Sequence, residues 1–327
     1  MSINFTKVEN FVLQRLEVNA RYPFTNLTQG TKPRQQLTSY TLKSLRKKGV
    51  VKSTYTLIDY SKFDTLNFRV YFKVNYISEK KYTELLDFFI KSSYTSKIIS
   101  CSGQYDLICV FFSQNASQFY KTLRNIMQKF PDQLQNYMIL TTVVGHELGK
   151  KYLFEEKTET KDVIIGGDRP PEDFDKTDLK ILQMLSQDAR INSVKIANTI
   201  RMSPRSIIYR IRKLEKKGVV KGYRAILDLK HIGYNSNLLL IKYHNISAKT
   251  EKELITYLKL QPNVVSYIKV LGNHDLEVII DTQDQLEYRK IEFGIRQKFA
   301  NIIQNIENVP IFNVHKINFF PEYLLGE

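Results

Sequence analysis

The sequence predicts an α+β chain made of two like halves, each a three-helix unit followed by a βαββαβ unit. Three observations predict this. The chain resembles itself at one fixed offset. A run of helical periodicity stops at a glycine and gives way to extended residues. Strand and helix periods then alternate to the end of each half.

The offset is 169 residues. Leu45-Arg46-Lys47-Lys48-Gly49-Val50-Val51-Lys52 recurs as Leu214-Glu215-Lys216-Lys217-Gly218-Val219-Val220-Lys221. Without a gap, the same register pairs Asn19-Ala20-Arg21 with Asp188-Ala189-Arg190, and Gly103-Gln104-Tyr105-Asp106-Leu107 with Gly272-Asn273-His274-Asp275-Leu276. It still holds at Gln128-Lys129-Phe130 against Gln297-Lys298-Phe299, and at His146 against His315. One register over so long a span is expected of two homologous copies. The join is charged from Glu155 to Asp162 and broken at Gly166-Gly167-Asp168-Arg169-Pro170-Pro171, with Val163-Ile164-Ile165 as a short strand between.

The second half is the clearer copy. Asp175 caps a helix with Leu179, Leu182 and Leu185 on one face. A short second helix carries Val194, Ala197 and Ile200 inward. A third begins at Ser203-Pro204, an N-cap residue followed by proline at the first helical position, and ends at Gly218. Val219 to Asp228 then reads as the two strands of a wing, which completes a winged helix-turn-helix.

The third helix divides by angle. At about 100° per residue, Ile207, Ile208, Ile211 and Leu214 fall on one side. Arg205, Tyr209, Arg212 and Lys216 form a stripe on the other, flanked by Lys213 and Ser206. Arginine can fork to guanine O6 and N7 in a major groove while lysine meets phosphates. Such a face is also compatible with plain solvation.

From Asn237 the pattern changes. Leu238 to His244 is a strand, Lys249 to Leu260 a helix and Val264 to Val270 a strand. In the next strand Leu276, Val278 and Ile280 alternate against Glu277 and Asp281. Gln285 to Phe299 is a helix and Val309 to Phe320 the last strand. The order βαββαβ is the ferredoxin-like split unit.

Bulk properties agree with a nucleic-acid partner. The 327 residues carry a formal net charge of +16, which favours polyanions through counterion release. Cys101 and Cys109 are the two cysteines, without C-x-x-C spacing, so neither a disulfide scaffold nor structural zinc is expected. No apolar run nears the roughly 18 residues that span a bilayer, and Met1 to Asn10 lacks a signal-peptide core. A reducing cytoplasm is the expected compartment.

The segment Phe174-Asp175-Lys176-Thr177-Asp178-Leu179-Lys180-Ile181-Leu182, then Met202-Ser203-Pro204-Arg205, then Arg210 to Tyr223, resembles the Lrp/AsnC (feast/famine) transcription regulators. The resemblance covers Phe174 to Tyr323 directly and Phe5 to Phe154 through the repeat. It implies double-stranded DNA as partner, self-association through the α/β sensing domains, and a small effector such as an amino acid. By position it implies effector-binding residues Gly272, His274 and Asp275, with Gly103, Tyr105 and Asp106 in the first half. A carboxylate there can hold an ammonium group, or the residues can simply make a tight strand connection.

The expected division is therefore 1–58 winged helix-turn-helix (divergent copy), 59–155 sensing domain, 156–173 linker, 174–230 winged helix-turn-helix and 231–327 sensing domain. The DNA-binding residues are Ser203, Pro204, Arg205, Tyr209, Arg212, Lys213 and Lys216, with Gln36, Tyr40, Lys43 and Lys47 in the first half. Lys217, Lys221 and the wing are expected on phosphates. Departures from the family accompany this. Two halves are fused as a covalent pseudo-dimer, and Arg201 stands in a turn where glycine is usual. In the first half Thr38 and Ser39 replace the inner isoleucines, and Gly30 and Pro33 crowd the turn. That half is left open between weak DNA binding, a different half-site and a scaffold.

Siroheme decarboxylases share this paired architecture and are the enzymatic alternative. Val264 to Val270 carries no histidine or arginine, and His274 and His315 are isolated, with no matching acid–base pair expected. No phosphate loop, nucleophile elbow or metal cluster is seen. The expectation is a regulator that is not an enzyme, with no metal and no cofactor.

Overall fold

The computed structural model describes residues 5–24, 35–75, 78–154, 161–244 and 246–326. The first half runs α1 (Lys7–Asn19), α2 (Gln35–Lys47), β1 (Val51–Ile58), β2 (Leu66–Val74), α3 (Glu79–Lys91), β3 (Thr95–Cys101), β4 (Leu107–Ser113), α4 (Ala116–Lys129) and β5 (Leu134–Glu147). After β6 (Val163–Gly166) the second half runs α5 (Lys176–Gln187), α6 (Ser193–Ile200), α7 (Pro204–Lys216), β7 (Val220–Leu227), β8 (Asn235–Tyr243), α8 (Ala248–Leu260), β9 (Val264–Leu271), β10 (Leu276–Thr282), α9 (Gln285–Lys298) and β11 (Ile303–Ile317). Starts such as β1 and β7, or α4 and α9, lie 169 residues apart. Gly30 and Pro33, with most of the span corresponding to α6, lie outside the described residues.

Local chemistry sets the helix ends. Thr6 and Glu9 form a capping box on α1, and Asp175 Oδ1 accepts from Asp178 N at 2.8 Å on α5. Ser203 Oγ accepts from Ser206 N at 3.1 Å with Pro204 in the first turn of α7, as the dipeptide implies. Three side chains sit differently from expectation. On α6, Ile196 is buried and Val194 is exposed; on α7, Ile208 is exposed. An eight-residue helix contacts its neighbours along a narrow stripe, and Ile208 lies at the margin of the packed face.

The wing is also different. Val220–Leu227 is one continuous strand, and its partner is β1 of the other half, antiparallel, with Tyr55 opposite Arg224. Gly222 stays in register with Leu57, so the chain does not reverse there. The exchanged ribbon joins the helical units into one core, in which Val12, Leu13, Leu16, Leu42 and Leu45 pack with Ile181, Leu182, Leu185, Ile207, Ile211 and Leu214.

Eight strands close on themselves in the order β2-β4-β3-β11-β8-β10-β9-β5, with β5 pairing back to β2 and β6 added on β5. The long strands β5 and β11 make closure possible, because each pairs first within its own half and then with the other. β11 therefore starts at Ile303, earlier than expected, since Ile303 to Ile311 pairs with β8. Helices α3 and α4 cover the outside of one sheet through Leu85, Phe89, Phe119 and Leu123, and α8 and α9 cover the other through Leu254, Leu258, Tyr288 and Ile295. The inner faces meet through Tyr71, Ile99, Ile108, Leu140, Leu238, Leu240, Ile268 and Val309.

This closure reverses the expectation for β10. The alternation of Leu276, Val278 and Ile280 against Glu277 and Asp281 predicts one apolar and one polar face, yet the two acids are buried as well. A second sheet lies where a single half would meet water.

Candidate nucleic-acid interface

On α7 the apolar underside and the cationic ridge separate as the periodicity requires. Ile207, Ile211 and Leu214 are buried, whereas Arg205, Arg212, Lys213 and Lys216 are exposed and Tyr209 is 68% exposed. Ser203 and Pro204 are exposed at its N-terminus. Among the described residues, Arg205, Arg212, Lys213 and Lys216 form no ion pair with a carboxylate. The neighbouring Arg210 differs, because it donates to Asp175 and Asp178, at 2.7 Å each, and holds α7 on α5. Backbone and Arg210 hydrogen bonds keep Asp175 below the usual carboxylate range.

The first half presents a matching ridge on α2. Gln36, Tyr40, Lys43 and Lys47 are exposed, with Tyr40 at 71%. Thr38 takes the buried place of Ile207, and its hydroxyl has no hydrogen-bond partner. A buried unsatisfied hydroxyl costs stability that isoleucine at the corresponding place of α7 does not.

Two lysines expected on phosphates are engaged elsewhere. Lys217 Nζ donates to Glu172 at 2.7 Å, which raises its pKa, and Lys221 Nζ lies 3.6 Å from the buried Asp59. Burial lowers the Lys221 pKa. Asp59 also accepts from Gly166 N and pairs with Arg169. Sequence cannot separate these lysines from Lys216, since Glu172 arrives from the inter-half segment and Asp59 from the end of β1 in the first half.

The turns named for an effector lie at the contact between the halves. Gly272 has φ +139°, and a Cβ there would come within 2.9 Å of Ile139 O on the other half. Gly103 faces Asn308 O in the corresponding place. Asp275 accepts from Tyr243 N at 2.8 Å and pairs with Lys242, while Asp106 accepts from Val74 N at 2.9 Å and pairs with Lys73. Both carboxylates thus tie their own turn to the first strand of their sheet. His274 is buried 3.4 Å from Glu307, and Tyr105 is buried with its hydroxyl 3.4 Å from Met138 Sδ. No helix among the described residues is long and apolar enough to cross a membrane.

A winged helix-turn-helix DNA-binding model matches residues 174–221. The leucine-responsive regulatory protein of Rhizobium meliloti (strain 1021) is 41% identical over 63 residues, which is 19% of this chain and 40% of that protein. The chain thus spans less than half of that relative. The transcriptional regulatory protein DoeX of Halomonas elongata is 32% identical over 140 residues, covering 40% of this chain and 87% of the relative.

Among solved structures, siroheme decarboxylase NirDL matches with a TM-score of 0.62 at 14% identity, covering 98% of this chain and 97% of that one. At that identity the likeness is one of fold. It nevertheless overturns the expectation that the chain is not an enzyme, because the architecture spanning its whole length is one on which an enzyme is built. The motifs searched in the sequence are local, and a site assembled between two halves leaves none of them. The match to DoeX settles the affiliation: the chain belongs to the Lrp/AsnC family of transcription regulators.

Proposed function

We propose that the chain is a sequence-specific DNA-binding regulator, a tandem duplication that acts as a covalent pseudo-dimer. One observation carries this: α7 exposes Arg205, Tyr209, Arg212 and Lys216 without carboxylate partners among the described residues while its isoleucine underside is buried. Arg205, Tyr209 and Arg212 read a major-groove half-site, and Lys213 and Lys216 meet phosphates. The α2 ridge, with Gln36, Tyr40, Lys43 and Lys47, meets an adjacent and unlike half-site, so the operator is an imperfect palindrome. An amino-acid effector at the Gly272–Asp275 and Gly103–Asp106 turns, and self-association through the sensing domains, belong to the same proposal.

Selection of bound duplexes from random oligonucleotides, followed by footprinting, tests it. The Arg205→Ala/Arg212→Ala variant is expected to keep its circular dichroism and lose sequence preference. An unchanged footprint refutes the assignment.

A second reading rests on the whole-chain likeness to NirDL: an enzyme acting on a tetrapyrrole. A Soret shift, relative to the free ligand, that saturates on titrating an iron tetrapyrrole supports it, and absence of any shift removes it.

A further inference from the structure

Between the ribbon and the near end of the closed strands lies a chamber of about 470 Å³. Its roof comes from β1 and β7, with Tyr55 and Arg224, and its floor from β3, β5, β8, β9, β10 and β11. That volume lies in the range of small-molecule sites. Ile99, Leu227, Ile279 and Ile311 supply apolar wall.

The polar groups are unusual for a packed interior. Arg224 is 4% exposed and faces the chamber, yet among the described residues its guanidinium has no hydrogen-bond or ion-pair partner. Lys97, on the opposite wall, has none either, and burial lowers its pKa. Buried cations are ordinarily paired, because an isolated charge away from water is costly. Of the acids lining the same space, Asp281 accepts from Tyr152 Oη at 2.7 Å, and Glu17 accepts from Lys150 N and pairs with Lys150 Nζ. Asp228 pairs with Lys52. Glu147 faces the chamber beside Lys97 without a hydrogen bond. Two cations on facing walls, set in apolar surface, match an anionic head on an apolar body.

We infer that the chamber binds a small organic anion, a carboxylate or sulfonate with an apolar body, bridging Arg224 of the ribbon and Lys97 of the barrel. Arginine is suited to the fork contact with such a head group. The site is separate from the glycine–aspartate turns, whose carboxylates are already tied to backbone. It also bears on regulation, and that part rests on the DNA-binding reading. β7 follows α7 directly and β1 follows α2, so a ligand that fixes the ribbon on the barrel fixes both ridges together. Occupancy therefore changes DNA affinity.

The test uses the full chain and 1-anilinonaphthalene-8-sulfonate, an aromatic anion that fluoresces on leaving water. One saturable site is expected. Arg224→Gln and Lys97→Gln should each weaken it about tenfold or more. Glu147→Gln removes a repelling charge and should tighten it, which keeps the inference open to refutation if the other variants misfold. No saturable binding, or binding indifferent to all three substitutions, overturns the site. Saturating probe should also change the midpoint of titration onto a selected duplex at fixed salt, and an unmoved midpoint overturns the coupling. If the chain binds no duplex at all, the regulator reading fails while the fluorescence arm still judges the site.

Discussion

Arg21 and Arg190 clasp each other's turns between the two helical units. Arg21 Nη1 donates to Ala189 O at 2.6 Å and Ile191 O at 3.1 Å, and Arg190 Nη1 donates to Ala20 O at 2.5 Å and Tyr22 O at 3.0 Å. The guanidinium of Arg21 also stacks over Tyr223, and that of Arg190 over Phe24. The exchange locks the two helical units to one another at the level of the ribbon.

Removing either clasp leaves two carbonyls short of a donor. Arg21→Ala or Arg190→Ala should each cost about 1–3 kcal/mol of stability in urea unfolding. The double variant should also broaden the spacing tolerated between half-sites, because the units lose a shared tether. Unchanged stability in both single variants would show the clasps to be incidental.

Arg201 occupies a left-handed conformation, φ 61° and ψ 50°, at the end of α6. Glycine meets no Cβ penalty there. Arg201→Gly is expected to raise stability by about 0.5–1 kcal/mol. It should also lower the slope of log affinity against log salt if the guanidinium meets a phosphate, by about 0.9. Calorimetry and salt-dependent DNA titration read the two effects separately.

Inside the closed strands, Arg69 Nε lies 2.6 Å from Glu277 Oε1, with both side chains at most 4% exposed. The counterparts of these two residues in the other half are Leu238 and Ile108, so the pair breaks the pseudo-symmetry. Arg69→Leu alone strands a buried carboxylate and should cost about 3–5 kcal/mol. Arg69→Leu/Glu277→Ile should recover most of that loss, which chemical unfolding of the three proteins would reveal. A double variant no better than the single would point to an essential charge.

His315 lies 3.0 Å from Ser100 Oγ, and burial holds its pKa below the ordinary histidine value. The unfolded chain then takes up the proton first. The contribution of neutral His315 is fully present above about pH 6.5 and is lost as pH falls through the folded-state pKa. Between pH 7 and pH 5, His315→Gln should therefore show a shallower fall in Tm than the wild type. Parallel curves would assign the pH response to other groups.

Much of this was legible in the chain alone. The third helix was readable because Ser203-Pro204 and Gly218 act through local backbone geometry, and because Ile207, Ile211 and Leu214 recur at the helical period. Contacts between distant segments were not. Lys217 and Lys216 are adjacent and alike in sequence, yet one is held by Glu172 and the other is exposed. Arg224 and Lys97 carry no local signal, since they face one chamber only when the ribbon lies over the barrel.

By itself the sequence determined the helical ridge and the βαββαβ order, because capping, periodicity and turn chemistry act over a few residues. The tertiary structure decided that the wing is exchanged between halves, that Glu277 and Asp281 are buried, and that two cations unpaired among the described residues face a chamber. Those features arise when two sheets close on each other, and closure sets a residue's surroundings by what packs against it from far along the chain.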